Sequence, residues 1–293
     1  MNFFNINVNK YSNDQSYAVT RPASLNFPKD HAVMFITKKY MTKVKAFEEC
    51  NKCLVFWPAD QPIPSNIKDK HVFVLSEDPR TEYCRFFRDN NITYYPEIED
   101  MELINGAYVA KTAKIGMNCK IFPGAYIGGE VCIGNNVYIG SGAKLVGKIS
   151  IGNNVIIREN AVIGADGLST NRDEEGHAVT MPQFGGVIIE DDVQIGALAI
   201  IGRGAIDNTV IGRGCKIDNS CFISHNVRLG EDTFVVGESI MFGSSSTGER
   251  AYISGNACIR DGVSIGKDAL IGMGSVVVKD VPAGVVVKGN PAK

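Results

Sequence analysis

The chain has 293 residues, of which 44% are hydrophobic and 21% are charged, as in an ordinary globular protein. Its 30 Lys and Arg residues nearly balance its 32 Asp and Glu residues, leaving a net charge of −2. This balance disfavours nucleic acid or an anionic membrane as a partner, because both need concentrated positive charge. The polar N-terminus lacks the apolar stretch of a signal peptide, and we expect a cytoplasmic protein.

The first hundred residues predict a small α/β domain, which we place at 1–102, because apolar and amphipathic segments alternate there. Cys50 and Cys53 form a lone CxxC without a second pair, so we expect no metal site. The predicted strands are His31–Thr37, Leu54–Trp57, His71–Leu75 and Ile92–Tyr95, and the predicted helices are Met41–Asn51 and Thr81–Asp89.

Aliphatic residues at every sixth position dominate the remainder, from Val109 to Ile163 and again from Ile211 to Val277, with Thr247 as the one break. A period of six fits neither an α-helix nor a plain strand. It is typical of hexapeptide solenoids, in which three short strands form a coil of about eighteen residues. We predict a mainly β fold, with a left-handed parallel β-helix at 103–293.

Two irregularities interrupt the repeat. A polar stretch at 165–186 is predicted to be a loop inserted into the solenoid, since inserted segments project from one face of such a fold. A short offset near Asp207–Asn208 resets the phase before Ile211. The acidic run Asp173–Glu175 and His177 are expected to be solvated loop residues.

The strongest candidate for chemistry is His225, which comes two residues after an inward position and should lie on the outer surface. Gly243 stands eighteen positions later, so its backbone N–H is expected beside the imidazole on the next coil. A base beside an exposed amide donor is what acyl transfer needs, because one removes a proton and the other stabilises an oxyanion.

The interior of the predicted prism is filled by aliphatic side chains, so a substrate must bind on its outer faces. Faces of neighbouring subunits enclose grooves when such prisms associate. We therefore expect a homotrimer.

Four segments carry a resemblance to a known family, and they keep its order and spacing. The sequence resembles the hexapeptide UDP-3-O-acylglucosamine N-acyltransferases of lipid A synthesis, and the first domain is similar as well. The segments are IGADG at 163–167, MPQFG at 181–185, GRGAIDNTVIG at 202–212 and KIDNSCFISHNVRLG at 216–230.

The resemblance implies a nucleotide-binding first domain and a catalytic β-helix. It implies that His225 is the general base, that Gly243 supplies the oxyanion donor and that Tyr40 stacks near the nucleotide base. Thr37 stands where the family usually has asparagine, so base recognition differs there. The remaining candidates within the resembling segments are Asn226 and Asp166 for catalysis and Gln183 for substrate binding.

Two departures from the family favour a different donor and acceptor. The family's second active-site histidine would fall near Gly262 and is absent, and the ending at 272–293 looks like that of transferases using acetyl-CoA. This combination resembles the branch that acylates dTDP-linked amino-deoxy sugars. The resemblance implies transfer of an acetyl or short acyl group from coenzyme A to such a sugar. The candidate coenzyme A contacts on the later coils are Asp261, Gly272, Lys279 and Lys288.

Several alternatives remain open at this point. The chain is alternatively a lipid A N-acyltransferase that uses acyl carrier protein, or transfers without a side-chain base. A zinc hydratase needs three converging histidines, whereas only His177 and His225 lie in or beside the coils. A non-catalytic scaffold gives no reason for the polar Ser224–Asn226 run.

Overall fold

The computed structural model describes residues 3–12, 14–93 and 99–293. The chain forms two compact units, the first made of Met1–Tyr95 with Leu168–Phe184 and the second of Pro96–Gly167 with Gly185–Lys293. The polar segment that the sequence assigned to the solenoid as a loop therefore groups with the first unit.

A parallel sheet organises the first unit, and its central strand is the wholly buried Leu54–Pro58. An uninterrupted apolar run of this kind is expected when both faces of a parallel strand are covered. Around it lie strands Arg21–Pro22, Ala32–Phe35 and Val72–Ser76, the antiparallel pair Ile6–Asn7 and Ala18–Val19, helices Ser65–Lys68 and Pro79–Asp89, and 3₁₀ segments Val8–Lys10 and Lys38–Glu48.

Two sequence predictions for this unit need correction. The predicted helix Met41–Asn51 is a 3₁₀ segment over Lys38–Glu48, with non-helical dihedral angles at Tyr40. The predicted strand Ile92–Tyr95 is not formed at positions 92 and 93, and its other two positions lie outside the described residues.

Helix Pro79–Asp89 explains why the polar segment joins this unit. Asp78 caps the helix, because its Oδ1 accepts hydrogen bonds of 3.1 Å from the N–H groups of Arg80 and Thr81. Its other oxygen accepts a 3.0 Å bond from the amide of Asn171, which belongs to an antiparallel hairpin. The hairpin strands are Thr170–Arg172 and Ala178–Thr180.

The second unit is the predicted left-handed parallel β-helix, which confirms the fold class. Its strands form three sheets, here called face 1, face 2 and face 3. Face 1 contains Met101–Ile104, Ala107–Ala110, Tyr126–Ile127, Lys144–Leu145, Val162–Ala165, Ile200–Gly202, Phe222–Ile223, Ile240–Met241, Cys258–Ile259 and Val276–Val277. Face 2 contains Lys114–Ile115, Val131–Ile133, Ile149–Ile151, Val187–Ile189, Thr209–Ile211, Arg228–Leu229, Ser246–Thr247 and Ser264–Ile265. Face 3 contains Lys120–Ile121, Tyr138–Ile139, Ile156–Ile157, Gln194–Ile195, Lys216–Ile217, Phe234–Val235, Tyr252–Ile253, Leu270–Ile271 and Val286–Val287.

The aliphatic residues of the repeat fill the interior of this unit. Ile127, Ile139 and Leu145 are fully buried, and each buried side chain of this size contributes about 1.5–3 kcal/mol. Thr247 is tolerated in the series because its hydroxyl accepts a 3.0 Å bond from the Gly230 N–H and lies 3.0 Å from the Thr233 hydroxyl. The packed interior directs any chemistry to the outer surface.

Every helix in the described ranges is too short or too polar to cross a bilayer.

Candidate functional site

One edge of the β-helix aligns several of the predicted site residues. Inward residues of consecutive face 1 strands pair in register, from Ile201 through Ile223, Met241 and Ile259 to Val277. The residues two positions later therefore share one corner, with neighbouring coils about 4.8 Å apart. We call this set the His225 column, and it consists of Arg203, His225, Gly243, Asp261 and Lys279.

The imidazole of His225 lies directly against Gly243, as the spacing of eighteen predicts. A Cβ at position 243 would lie 2.5 Å from Cε1 and 2.6 Å from Nε2 of the ring. Real Cβ atoms essentially never come so close to a neighbour, so the ring occupies this position only because residue 243 is glycine. His225 itself is half-buried.

Asn226 determines which nitrogen of the neutral His225 ring carries the proton. Its Oδ1 accepts a 3.0 Å bond from the N–H of Ala205, and its Nδ2 donates a 2.8 Å bond to the Asp207 carbonyl. The oxygen is therefore the atom facing Nδ1 of His225, at 3.1 Å. Only an Nδ1–H can complete this contact, so Nε2 carries the lone pair in the neutral ring.

The phase offset in the sequence builds the clamp that holds Asn226. The extra residues between Ile201 and Ile211 supply the Ala205 N–H and the Asp207 carbonyl. The hydroxyl of Thr209 accepts a further 2.9 Å bond from the Asn226 backbone N–H. The irregularity of the repeat thus supplies the polar partners of Asn226, the residue that contacts the His225 ring.

The backbone amide of Gly243 has no hydrogen-bond acceptor among the described residues. The carbonyl of the same residue is engaged, since it accepts a 3.0 Å bond from the Gly262 N–H. A free N–H beside Nε2 is the arrangement that stabilises a developing oxyanion.

Asp166 does not contact the imidazole itself. Its Oδ1 lies 2.8 Å from Nε of Arg203, a buried residue that the sequence analysis missed. The next residue, Gly167, does reach the histidine, because a Cβ there would lie 2.7 Å from the His225 Cβ and 2.8 Å from Cδ2. The ADG segment therefore contributes a glycine contact rather than a carboxylate contact.

The candidate coenzyme A residues divide between two corners. Asp261 and Lys279 are exposed and lie in the His225 column, one and two coils beyond Gly243. Gly272 and Lys288 follow face 3 strands, where a Cβ at position 272 would lie 2.8 Å from the Lys288 Cβ. The structure therefore brings together two pairs rather than four residues.

The candidate nucleotide contacts lie in the first unit. Thr37 and Tyr40 follow the carboxyl end of strand Ala32–Phe35, where parallel sheets commonly bind ligands. The ring of Tyr40 is 42% exposed, and the Lys39 and Lys43 amines lie 5.4 and 5.8 Å from its centroid. Sequence analysis missed these two lysines.

Gln183, also in the first unit, is only 2% exposed. Its Nε2 donates a 3.1 Å bond to the Met181 carbonyl. The predicted substrate contact of Gln183 stays a prediction.

The Cys50–Cys53 pair packs as part of the core of the first unit. The two sulfur atoms lie 3.6 Å apart near His71. Both ring nitrogens of His71 bond to backbone, Nε2 to the Phe47 carbonyl at 2.8 Å and Nδ1 to the Cys53 N–H at 3.3 Å. These bonds leave the ring no lone pair for a metal ion.

A separate groove of about 610 Å³ lies on the outside of face 3. Arg158, Gln194, Lys216 and Phe234 contribute to its walls, and no residue of the His225 column lines it.

Comparison with known proteins identifies the repeat. The family model described as bacterial transferase hexapeptide (six repeats) matches residues 112–147 and 133–165. The UDP-3-O-acylglucosamine N-acyltransferase of Coxiella burnetii (strain Dugway 5J108-111) is 55% identical over 85 residues, 29% of this chain and 25% of that protein. UDP-3-O-acylglucosamine N-acyltransferase 2 of Rhodopseudomonas palustris (strain BisB18) is 40% identical over 131 residues, 45% of this chain and 35% of that protein.

These matches are partial, since the chain spans 25% and 35% of the length of these two relatives. Among solved structures, a UDP-N-acetylglucosamine acyltransferase from Bacteroides fragilis 9343 superimposes with a TM-score of 0.60 at 26% identity, over 66% of this chain and 73% of that one. A Campylobacter jejuni acyltransferase with a TM-score of 0.59 and 24% identity, over 65% of this chain and 73% of that one, shares the fold. The β-helical unit is thus similar, over parts of its length, to bacterial hexapeptide transferases.

Proposed function

We propose that the chain is an acyltransferase that moves an acyl group from a thioester to the amino group of a nucleotide-linked sugar. The observation that carries this proposal is the contact of His225 with Gly243. Among the described residues, neither Nε2 of the ring nor the backbone amide beside it has a hydrogen-bond partner. The names of the relatives, which are acyltransferases, support the reaction class.

The proposed reaction uses both groups in one step. The neutral amine attacks the thioester carbonyl, and a carbon–nitrogen bond forms as the carbonyl oxygen becomes negative. The Gly243 N–H donates to this oxygen, and Nε2 of His225 takes the proton that the nitrogen loses. When the tetrahedral intermediate collapses, the carbon–sulfur bond breaks, and the thiolate leaves and regains a proton.

Two sugars are candidates for the acceptor. The relatives' names favour UDP-3-O-acylglucosamine as the acceptor. The resemblance found in the sequence pairs this acceptor with an acyl carrier protein donor. A dTDP-linked amino-deoxy sugar with a coenzyme A donor is the second candidate. Exposed Lys279, two coils beyond Gly243 in the same column, favours it because its ammonium suits a coenzyme phosphate. In both cases we assign base recognition to Tyr40 and Thr37.

A crossed assay tests the proposal and separates the candidates. Each acceptor is incubated with a short acyl-CoA and with a long-chain acyl carrier protein, and free thiol and acylated sugar are measured. We expect one combination to give the acylated sugar, and we expect the His225→Ala variant to form it much more slowly than the wild-type protein. Absence of product in every combination would refute the proposal.

We also propose that the active assembly is a homotrimer, because the interior of the β-helix is packed and the site lies on its outside. Equilibrium ultracentrifugation should give three times the chain mass of 31.7 kDa. A monomer at assay concentration would contradict this part of the proposal.

A further inference from the structure

The guanidinium of Arg203 is buried immediately before His225 in the His225 column. Arg203 is 2% exposed, and its Nε lies 2.8 Å from Oδ1 of Asp166. Burial lowers the pKa of Arg203, while the carboxylates of Asp166 and Glu130 oppose this effect. The side chain of Asp166 is 52% exposed, so the ion pair joins a buried guanidinium to a carboxylate at the surface.

Glycine at position 147 leaves room for the guanidinium of Arg203. A Cβ at Gly147 would lie 2.8 Å from Nη1 of Arg203, so the glycine leaves the space that the side chain fills. The Arg203 backbone N–H also donates a 2.9 Å bond to the Ala165 carbonyl. Arg203 is thus fixed at both ends against the strand that leads into Asp166.

Gly167, the residue that follows Asp166 in the chain, contacts His225. Gly167 packs against the Cβ, Cγ and Cδ2 atoms of His225, and Gly243 packs against the Cε1 and Nε2 end of the ring. The imidazole is therefore held between two glycines, one of which follows a residue tied to Arg203.

We propose that Arg203 is a positioning residue for His225. By holding Asp166, it keeps Gly167 against the ring, so that Nδ1 stays on Asn226 and Nε2 stays at Gly243. This inference rests on the proposed function only in its kinetic consequence, because the position of the ring is measurable without substrate.

Nitrogen NMR of the histidine side chains tests the positioning directly. The chain has four histidines, and the His225→Gln spectrum identifies the signal of interest. In the wild-type protein we expect the proton of His225 on Nδ1. In Arg203→Met we expect a mixture of the two tautomers, because the ring loses its support beside Asn226, and in Arg203→Lys a partial return. An unchanged His225 signal in Arg203→Met would overturn the proposal, whatever happens to activity.

Steady-state kinetics provide the second readout. We expect Arg203→Met to lower kcat about a hundredfold, since a displacement of about 1 Å costs that much, with KM changed less than about threefold. Arg203→Lys should recover part of the loss. Arg250→Met is the matched control, because Arg250 pairs with Asp268 at 2.8 Å but is half exposed, and its kcat should stay near wild type.

The two readouts separate the failures. If no combination of donor and acceptor gives product, the proposed function fails, while the NMR result still decides whether Arg203 positions the ring. If Arg203→Met keeps the wild-type kcat in a protein in which His225→Ala is inactive, Arg203 has no positioning role. If Arg203→Met does not fold, Arg203→Lys alone decides both readouts.

Discussion

His71 in the first unit and His225 in the β-helix are the same side chain held in opposite ways. His71 is 2% exposed, and backbone groups bond to both of its ring nitrogens. His225 is half-buried, and the structure engages Nδ1 through Asn226 while Nε2 faces a bare glycine. Both ring nitrogens of His71 are engaged in hydrogen bonds with the backbone. For His225 only Nδ1 has a hydrogen-bond partner among the described residues, which leaves Nε2 for chemistry.

This contrast separates the two consequences of removing a histidine. Loss of His71 leaves a buried backbone carbonyl and N–H without partners, which costs stability. Loss of His225 removes a half-exposed ring whose polar contact is a single side chain, so little stability should be lost. The following tests of the contrast run from the largest expected effect to the smallest.

His225→Ala should lower kcat by about 10²–10⁴, the usual contribution of a general base, with a melting temperature close to that of the wild type. The assay is acylation by the donor and acceptor found active above. His177→Ala, which alters an exposed hairpin histidine, is the control and should keep its activity. A His225→Ala enzyme with normal kcat would favour transfer without a side-chain base.

Gly243→Ala keeps the backbone N–H but should lower kcat about a hundredfold, because a displacement of the catalytic ring by about 1 Å costs that much. The new methyl group would lie 2.5 Å from Cε1 of His225 and must displace the ring. Gly255 occupies the corresponding place on a face 3 strand, where a Cβ meets nothing closer than 3.4 Å. Equal losses in Gly243→Ala and Gly255→Ala would show that any methyl group at such a turn is harmful.

Asn226→Gly should lower kcat by roughly ten- to a hundredfold, because the ring loses the acceptor for Nδ1–H and misaligns. Glycine suits the positive φ of 60° at this position, so the backbone stays unstrained. Asn256→Gly is matched to it, since Asn256 has a φ of 56° at the same place in its turn. A normal rate for Asn226→Gly would show that the ring needs no clamp.

His71 should make the free energy of unfolding depend on pH. Desolvation lowers the pKa of His71 in the folded protein, so the unfolded chain binds the proton more tightly. The contribution of His71 to the free energy of unfolding is therefore fully present above the unfolded pKa of about 6.5. It is lost as the pH falls below that value. Urea unfolding between pH 5 and 8 should show this fall, and His71→Gln should flatten it at a cost of about 1–3 kcal/mol. A fall that persists in His71→Gln must come from other groups.

The sequence predicts the β-helix and the meeting of His225 with Gly243, because an unbroken period of six sets the register of the coils. The same spacing places Asp261 and Lys279 in the column. Arg203 escapes this reasoning because it precedes His225 by 22 positions rather than eighteen. The offset that causes the difference also supplies the Asn226 clamp, which no spacing rule predicts.

Other parts of the site depend on tertiary contacts that a periodic pattern does not contain. Gly167 follows the point where the chain leaves the solenoid, so nothing periodic connects it to His225. The hairpin beyond it joins the first unit through bonds to the Asp78 cap. Gly272 and Lys288 lie on a different corner because their strands belong to face 3.

A crystal structure with the acylated sugar product tests the central claim most directly. The account predicts that the amide carbonyl oxygen lies about 3 Å from the Gly243 nitrogen, with the amide nitrogen within hydrogen-bond distance of the Nε2 atom of His225. A product whose amide lies elsewhere, for example in the groove lined by Phe234, would contradict it.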